Sequence, residues 1–193
     1  MQPLIDLLFP KICLICKREG DYLCPDCKSV LDILTVHRKY SNQNLDDLYF
    51  ALVCQSPFVK SLIKKFKQEP FVKELAKTFS DLIIEHLQLI DNQPDFKHFI
   101  IVPVPIEKKK LKRQGFSQAE ELAKELSNYF KLPLLNCLFK EKDFQIKDRK
   151  EVENKKIILV DDIYLNNSDI EICAKLLKQH GTEEVVGMAI ARG

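Results

Sequence analysis

The sequence lacks any run of about eighteen or more apolar residues, the length at which an apolar segment predicts a membrane-spanning helix. Its first residues carry neither a basic leader nor a small-residue cleavage site, which argues against a secretory signal peptide. We therefore expect a cytosolic protein with no membrane insertion. Net charge is also small, at +2, so the overall composition does not by itself indicate nucleic-acid binding. Repeats and low-complexity linkers are absent too, and the length of 193 residues suits one domain plus a small appendage.

Seven cysteines are present, although nothing in the sequence indicates export to a disulfide-forming compartment. Four of them form two Cys-x-x-Cys pairs: Cys13, Cys16, Cys24 and Cys27. Each pair folds into a tight knuckle, and two knuckles complete a tetrahedral sulfur shell for structural Zn²⁺ with no open position for a catalytic water. The alternative is two separate pairs, reduced or redox-active, but a thioredoxin-like pair would sit inside a βαβ unit. The other three are expected to be buried as small apolar side chains: Cys54, Cys137 and Cys173.

Beyond about residue 45, strand-like and helix-like apolar patterns alternate along the chain. Strands are predicted over residues 49–54, 99–105, 132–138, 156–161 and 185–191. Helices are predicted over 58–66 and 71–89, from a capping box at Ser117 and Glu120, and from a second box at Ser168 and Glu171 to about His180. The charged segment 140–156 is expected to be an exposed loop or short helix. This alternation predicts an α/β domain over residues 45–193, a mostly parallel sheet with helices on both faces, preceded by a four-cysteine module over residues 1–44.

One dense basic run follows the buried strand predicted at 99–105. It consists of Lys108, Lys109, Lys110, Lys112 and Arg113. Ligands bind at the carboxyl ends of strands in open α/β sheets, so a basic turn there could hold a pyrophosphate or a nucleic-acid backbone by charge. The alternative is a solvated, flexible basic loop.

Two adjacent carboxylates, Asp161 and Asp162, end the strand predicted at 156–161, and a polar turn and a helix follow. Such a strand resembles the first strand of a receiver domain, where paired acids hold magnesium. Only 31 residues follow Asp162, too few for the rest of that domain. The arrangement instead resembles the ribose-5-phosphate site of a type I phosphoribosyltransferase.

Nearly the whole chain is similar to the ComF family, phosphoribosyltransferase-like proteins associated with bacterial competence. The similarity lies in the four-cysteine start and in three segments, FVKSLIKKFK, IIVPVPIEKKKLKRQGFSQAEELAKEL and KKIILVDDIY. It implies a type I phosphoribosyltransferase fold behind a zinc knuckle, and a cytosolic role in processing incoming single-stranded DNA. In an active member, phosphoribosyl pyrophosphate would bind with Mg²⁺. Asp161 and Asp162 would then contact the ribose hydroxyls, the turn would cradle the 5-phosphate, and the basic run would hold the pyrophosphate.

The sequence departs from the family pattern at that turn. The family typically reads Tyr-Thr-Thr-Gly-Ala-Thr, whereas the phosphate-binding positions here are Asn166, Asn167, Ser168 and Asp169, after Tyr164 and Leu165. The threonine hydroxyls and the glycine are gone. Two like charges about 4 Å apart repel by about 4 kcal/mol at an effective dielectric near 20, so a carboxylate at Asp169 that faced the ligand would oppose a phosphate. The stretch over residues 145–154 is also shorter than the family's, which removes residues expected to cover the site.

Three functions therefore compete. The first is an active phosphoribosyltransferase that uses Mg²⁺. The second is a competence protein that kept the fold while its phosphoribosyl pyrophosphate loop degenerated, and that binds single-stranded DNA or a competence helicase through the zinc knuckle and the basic run. The third is a non-catalytic scaffold that docks another protein. We favour the second, because of Asp169 and the lost threonines.

Overall fold

A parallel sheet organises the chain in the computed structural model, which describes residues 10–68, 72–165 and 168–193. Its strands are β1 (Asp47–Val53), β2 (Phe99–Pro103), β5 (Lys156–Val160), β6 (Ile163–Tyr164) and β7 (Glu184–Arg192). The order across the sheet is β1-β7-β5-β2, and β6 also pairs with β7. Every one of these pairings is parallel. The predicted mostly parallel sheet is confirmed.

The central strands are the continuous apolar runs of the sequence, as expected for strands covered on both faces. In β5, the four residues from Ile157 to Val160 are buried, and β7 is buried from Val185 to Ala191. The register aligns Ile158 with Ile101 of β2 and with Val186 of β7. Strands β2 and β5 consequently end together, which brings the residues after each strand to one edge of the sheet.

Helices cover both faces of the sheet. They are α1 (Pro25–Lys28), α2 (Pro57–Lys67), α3 (Leu75–Leu89), α4 (Lys108–Gln114), α5 (Gln118–Phe130) and α6 (Asp169–Gln179). One apolar cluster joins α2, α3 and α5 to one face, and a second joins α6 to the other. Among the described residues, none of these helices combines the length and apolarity needed to cross a membrane.

One prediction about the middle of the chain is wrong, and a second holds only in part. Residues 132–138 do not form a strand of the sheet; only Leu134 makes an isolated parallel bridge, to Ile101. The segment expected to be an exposed loop or short helix does contain a short 3₁₀ helix at Arg149–Glu151, but its first part belongs to an antiparallel hairpin, β3 (Leu138–Lys140) with β4 (Phe144–Ile146). This hairpin packs against α6. Its strands are three residues long, too short for the alternating pattern that predicts strands to be visible.

The four-cysteine segment packs on the face that carries α3. Cys13 and Leu23 belong to the same apolar cluster as Phe79 of α3. Polar contacts reinforce this packing: the Leu34 backbone N–H donates to the Ala51 carbonyl at 2.9 Å, and His86 Nδ1 donates to the Leu34 carbonyl at 2.6 Å. A separate module over residues 1–44 stays a prediction, and its described part lies directly against the sheet domain.

Candidate functional site

Two sites emerge from the residues singled out in the sequence, and the first is the cysteine cluster. The sulfur atoms of Cys13, Cys16, Cys24 and Cys27 all lie within 4.8 Å of one another, and Cys16 Sγ is 3.6 Å from Cys24 Sγ. A tetrahedral Zn²⁺ with Zn–S bonds near 2.3 Å separates its sulfurs by about 3.8 Å. The four side chains therefore fit a metal ion held by sulfur alone. Three are buried and Cys16 is exposed.

Local backbone geometry explains how the pairs converge. An antiparallel bridge between Ile12 and Glu19 closes the turn that carries the first pair. In the second pair, Cys24 is the N-cap of α1 and Cys27 lies within that short helix, which begins with a proline. Proline suits the first turn of a helix because its φ is already helical and its missing N–H is not needed there. A short hairpin and a single helical turn together bring four sulfurs to one point.

The thiols of this cluster have strongly different proton affinities. Burial would raise the pKa of Cys13, but backbone N–H groups of Cys24, Cys16 and Ile15 stabilise its thiolate and bring the value down to about 6. Burial and hydrogen bonds from the neighbouring thiols raise the pKa of Cys27 to about 12. The Cys13 thiolate forms readily, and its charge opposes ionisation of Cys27. A bound cation removes that repulsion, which is how a metal ion stabilises such a cluster.

The second site is a cleft at the carboxyl ends of β2 and β5, with a volume of about 270 Å³. Val104 and Pro105, which follow β2, form one part of its lining. Asp161 and Asp162, which follow β5, form another. The remaining lining comes from helix ends and the turn: Lys67, Ile106, Lys110, Gln118, Ala119, Ile163, Leu165, Ser168 and Asp169. The structure therefore brings the acidic pair, part of the polar turn and one residue of the basic run to one place.

The acidic pair already has a partner within the protein. Lys67 Nζ, at the end of α2, donates to Asp162 Oδ1 at 2.9 Å, and the Ile163 backbone N–H donates to the same oxygen at 2.7 Å. The Asp162 side chain is 11% exposed, so its charge is largely removed from water and depends on Lys67. Burial, and then the charge of Asp162, raise the pKa of Asp161 well above the usual range of a carboxylic acid.

Asp169 also has an internal counter-ion. Its Oδ2 lies 2.9 Å from Nζ of Lys140, at the end of β3 in the hairpin. The Lys140 ammonium in turn sits 4.3 Å from the centre of the Phe144 ring, which favours a cation there. Asp169 is half-exposed and lines the cleft. Lys140 offsets the negative charge of its carboxylate.

The start of α6 differs from the predicted capping box. Ser168 is the N-cap by position, but its hydroxyl accepts no capping bond from the helix. Glu171 points elsewhere: Tyr164 and Tyr40 donate their hydroxyls to it, and Asn42 Nδ2 donates at 3.0 Å. The box prediction is wrong at this helix because tertiary partners claim the glutamate. Asn166 and Asn167 of the turn lie outside the described residues.

The basic run forms a helix, so its prediction as a turn or flexible loop is wrong. Helix α4 spans Lys108–Gln114 and ends at Gly115, whose φ of +78° is left-handed. All five cations are exposed. Lys108 pairs with Glu141 at 3.1 Å, whereas the other four form no ion pair with any described residue. Of the five, Lys110 is the one that lines the cleft.

Two lysines that pair with acids of the cleft were not predicted from the sequence: Lys67, which lines the cleft, and Lys140, which contacts Asp169. Lys67 belongs to the segment FVKSLIKKFK, whose only available signal was four lysines and no acidic residue within the segment. Lys140 meets Asp169 across 29 residues of chain, and no local pattern links the two. At the first capping box, by contrast, Ser117 Oγ accepts the Glu120 backbone N–H as predicted.

Comparison with known proteins yields two curated relatives. Competence protein F of Haemophilus influenzae is 28% identical over 113 residues, which cover 48% of this chain and 49% of that protein. Competence protein ComFC of Bacillus subtilis is 26% identical over 191 residues, 88% of this chain and 72% of that protein. The chain thus spans about half the length of the Haemophilus protein that it matches.

No protein-family model matches the chain. Among solved structures, the chain is similar to phosphoribosylpyrophosphate synthetase from Mycobacterium smegmatis, with a TM-score of 0.39 and 18% sequence identity. That similarity covers 61% of this chain and 33% of the synthetase chain.

Proposed function

We propose that this chain, a relative of the ComF competence proteins, is a phosphoribosyltransferase-like protein of DNA uptake whose cleft binds phosphoribosyl pyrophosphate weakly or not at all. In this proposal the protein acts in the cytosol on incoming single-stranded DNA, which the exposed cations of α4 hold by charge. A competence helicase is the expected protein partner. The four cysteines hold a structural Zn²⁺, with no part in chemistry.

The observation that carries the weakened cleft is the internal neutralisation of its acids. A sugar ligand needs carboxylate oxygens to accept hydrogen bonds from its hydroxyls. In Asp162, Oδ1 already accepts hydrogen bonds from Lys67 Nζ and from the Ile163 backbone N–H. The pKa of the neighbouring Asp161 is raised, so Asp161 holds a proton at higher pH than an ordinary carboxyl group does. At the phosphate end, Asp169 lines the cleft with its own carboxylate. A phosphorylated sugar would have to displace these contacts.

An active phosphoribosyltransferase is the second candidate, and the Lys140–Asp169 pair favours it. Lys140 removes most of the repulsion that Asp169 alone would exert on a phosphate. In that case Asp161 and Asp162 would accept the ribose hydroxyls, and Lys110 would face the pyrophosphate. Mg²⁺, when bound, would neutralise the pyrophosphate oxygens.

The exposed helix α4 supports the DNA-binding part of the proposal. Four of its five cations have no ion pair with a described residue, so their charge is available to a polyanion. Single-stranded DNA is bound largely by such cations, with release of condensed counter-ions. Ordinary solvated lysines would give no measurable affinity, which makes the proposal testable.

Titration calorimetry with phosphoribosyl pyrophosphate and Mg²⁺ tests the weakened cleft. We expect no heat of binding at micromolar protein, because the acids of the cleft are already engaged. Binding with a micromolar dissociation constant would show a working site and favour the active transferase. As a matched variant, Asp169→Asn removes the carboxylate at the phosphate end, and we expect it to bind more tightly than the wild type.

Fluorescence anisotropy with labelled oligo(dT) tests DNA binding through α4. The variant replaces Lys108, Lys109 and Lys110 with glutamine. The control replaces Lys150 and Lys155, two exposed lysines near the amino end of β5, at the opposite edge of the sheet from the cleft. We expect the α4 variant to lose affinity and the control to keep it. Equal affinity of both variants, or no wild-type binding at low salt, would contradict the proposal.

A further inference from the structure

Two basic helices stand at the same cleft, and only one of them belongs to the basic run. Helix α4 contributes Lys110 to the cleft lining, and α2 contributes Lys67. These two helices come from segments about forty residues apart in sequence. The sheet therefore presents cations on both sides of one cleft mouth.

Helix α2 is basic throughout and contains no acidic residue. Its buried side is a stripe of four apolar residues: Val59, Leu62, Ile63 and Phe66. Lys60, Lys64 and Lys67 follow at intervals of four and three, so they lie along one flank of the helix. Lys67 bonds Asp162 in the cleft, so the carboxyl-terminal end of this flank reaches the cleft. Cys54 follows β1, and burial raises the pKa of its thiol while the charges of Lys67 and Lys60 act to lower it. Both lysines therefore lie near Cys54, at the carboxyl edge of the sheet.

The stability of the helix does not account for Lys60. The helix dipole favours cations in the last turn, where Lys64 and Lys67 lie, but disfavours them near the first turn, where Lys60 lies. Lys60 and Lys64 are both exposed, and neither forms an ion pair with a described residue. Their charges are unneutralised within the described chain and point to an anionic partner.

We propose that single-stranded DNA crosses the mouth of the cleft from α4 to α2, and that Lys60 and Lys64 bind its phosphates on the α2 side. This inference rests on the proposed DNA binding by α4 and extends it to a second surface. A single strand is flexible enough to bend from one side of a cleft to the other. A duplex has a persistence length of about 150 base pairs and cannot bend into the cleft between the two helices.

The experiment compares three double variants in the full chain by anisotropy with labelled oligo(dT) over a series of salt concentrations. The first is Lys60→Gln with Lys64→Gln, the second is Lys109→Gln with Lys110→Gln, and the third is the control at Lys150 and Lys155. Each phosphate contact to a single strand contributes about 0.7 to the slope of log K against log salt concentration. Loss of two contacts should lower the slope by about 1.4 and the affinity about 25-fold at 0.1 M salt.

The α2 variant should lose affinity as the α4 variant does, while the control keeps the wild-type slope. If α4 variants lose affinity but the α2 variant matches the control, the path across the cleft is wrong and the proposed function stands. If the wild type shows no binding, the proposed function itself fails. Duplex DNA of the same length should compete poorly, and equal competition would refute the single-strand path. Because Lys60 and Lys64 are exposed and form no ion pair with a described residue, thermal unfolding of the α2 variant should match the wild type.

Discussion

Replacing Lys67 with methionine should destabilise the protein through Asp162. The Lys67 side chain is 36% exposed and that of Asp162 only 11%, and their charged atoms are 2.9 Å apart. Removal of one partner of a fully buried pair costs about 3–5 kcal/mol, and an exposed pair contributes about 0–1 kcal/mol. Since this pair is buried at one end and partly exposed at the other, we expect the free energy of unfolding to fall by about 2 kcal/mol. For a chain of this length, that corresponds to about 4–8 °C in Tm.

Urea unfolding at neutral pH, followed by circular dichroism because the chain contains no tryptophan, measures this change. The control is Lys64→Met on the same helix, an exposed lysine that forms no ion pair within the described part of the chain. We expect it to change stability by less than about 0.5 kcal/mol. The double variant Lys67→Met with Asp162→Asn should be more stable than the sum of the single effects predicts, by about 1–3 kcal/mol. If Lys67→Met is no less stable than Lys64→Met, Asp162 does not depend on its lysine. Lys67 would then not neutralise the acidic pair of the cleft.

Three further predictions concern the four-cysteine cluster, the carboxyl group of Asp161 and the hydrogen bond between Tyr40 and Tyr164. Purified protein should contain about one zinc ion per chain by elemental analysis, Cys13→Ser should abolish it, and Cys54→Ser should not. Because the pKa of Asp161 is raised, the folded state retains a proton that the unfolded state releases above about pH 4. The free energy of unfolding therefore falls as pH rises from about 4 to the raised pKa of Asp161 in the folded state. Asp161→Asn should therefore stabilise the protein more at about pH 8 than at about pH 4, and a pH-independent difference would refute this. Tyr40→Phe should lower the free energy of unfolding by about 1 kcal/mol in urea, because the Tyr40 hydroxyl bonds Tyr164 at 2.7 Å, and a neutral result would show that the contact contributes nothing.

Features encoded locally could be predicted from the sequence. The strands over 99–103 and 156–160 follow from continuous apolar runs, and the two Cys-x-x-Cys pairs from their spacing. Because parallel strands end at one edge, the position of Asp161 and Asp162 beside residues that follow β2 could be expected as well. The resemblance to the ComF family is confirmed by the two competence proteins to which the chain is similar.

Features that depend on distant partners could not be predicted. Ser117 and Ser168 begin the same four-residue pattern, yet only Ser117 caps its helix. The difference lies in Glu171, which bonds side chains 7 and 131 residues away. Lys140 likewise reaches Asp169 only because a short hairpin turns the chain back toward α6. At Ser168, the tertiary contacts of the helix start outweigh a local capping preference worth about 1 kcal/mol.

The order of the strands has a consequence for synthesis. Strand β7 is the last strand in the chain but lies inside the sheet, paired with β1 on one side and with β5 and β6 on the other. While the ribosome is still making the first 183 residues, β1 and β5 have no strand between them. The backbone N–H and C=O groups along their facing edges then lack their partners in β7. The sheet closes only when residues 184–192 emerge, and contacts of such long range form slowly. The nascent chain is therefore exposed to aggregation until its last strand arrives, the interval during which a chaperone would have most effect on yield.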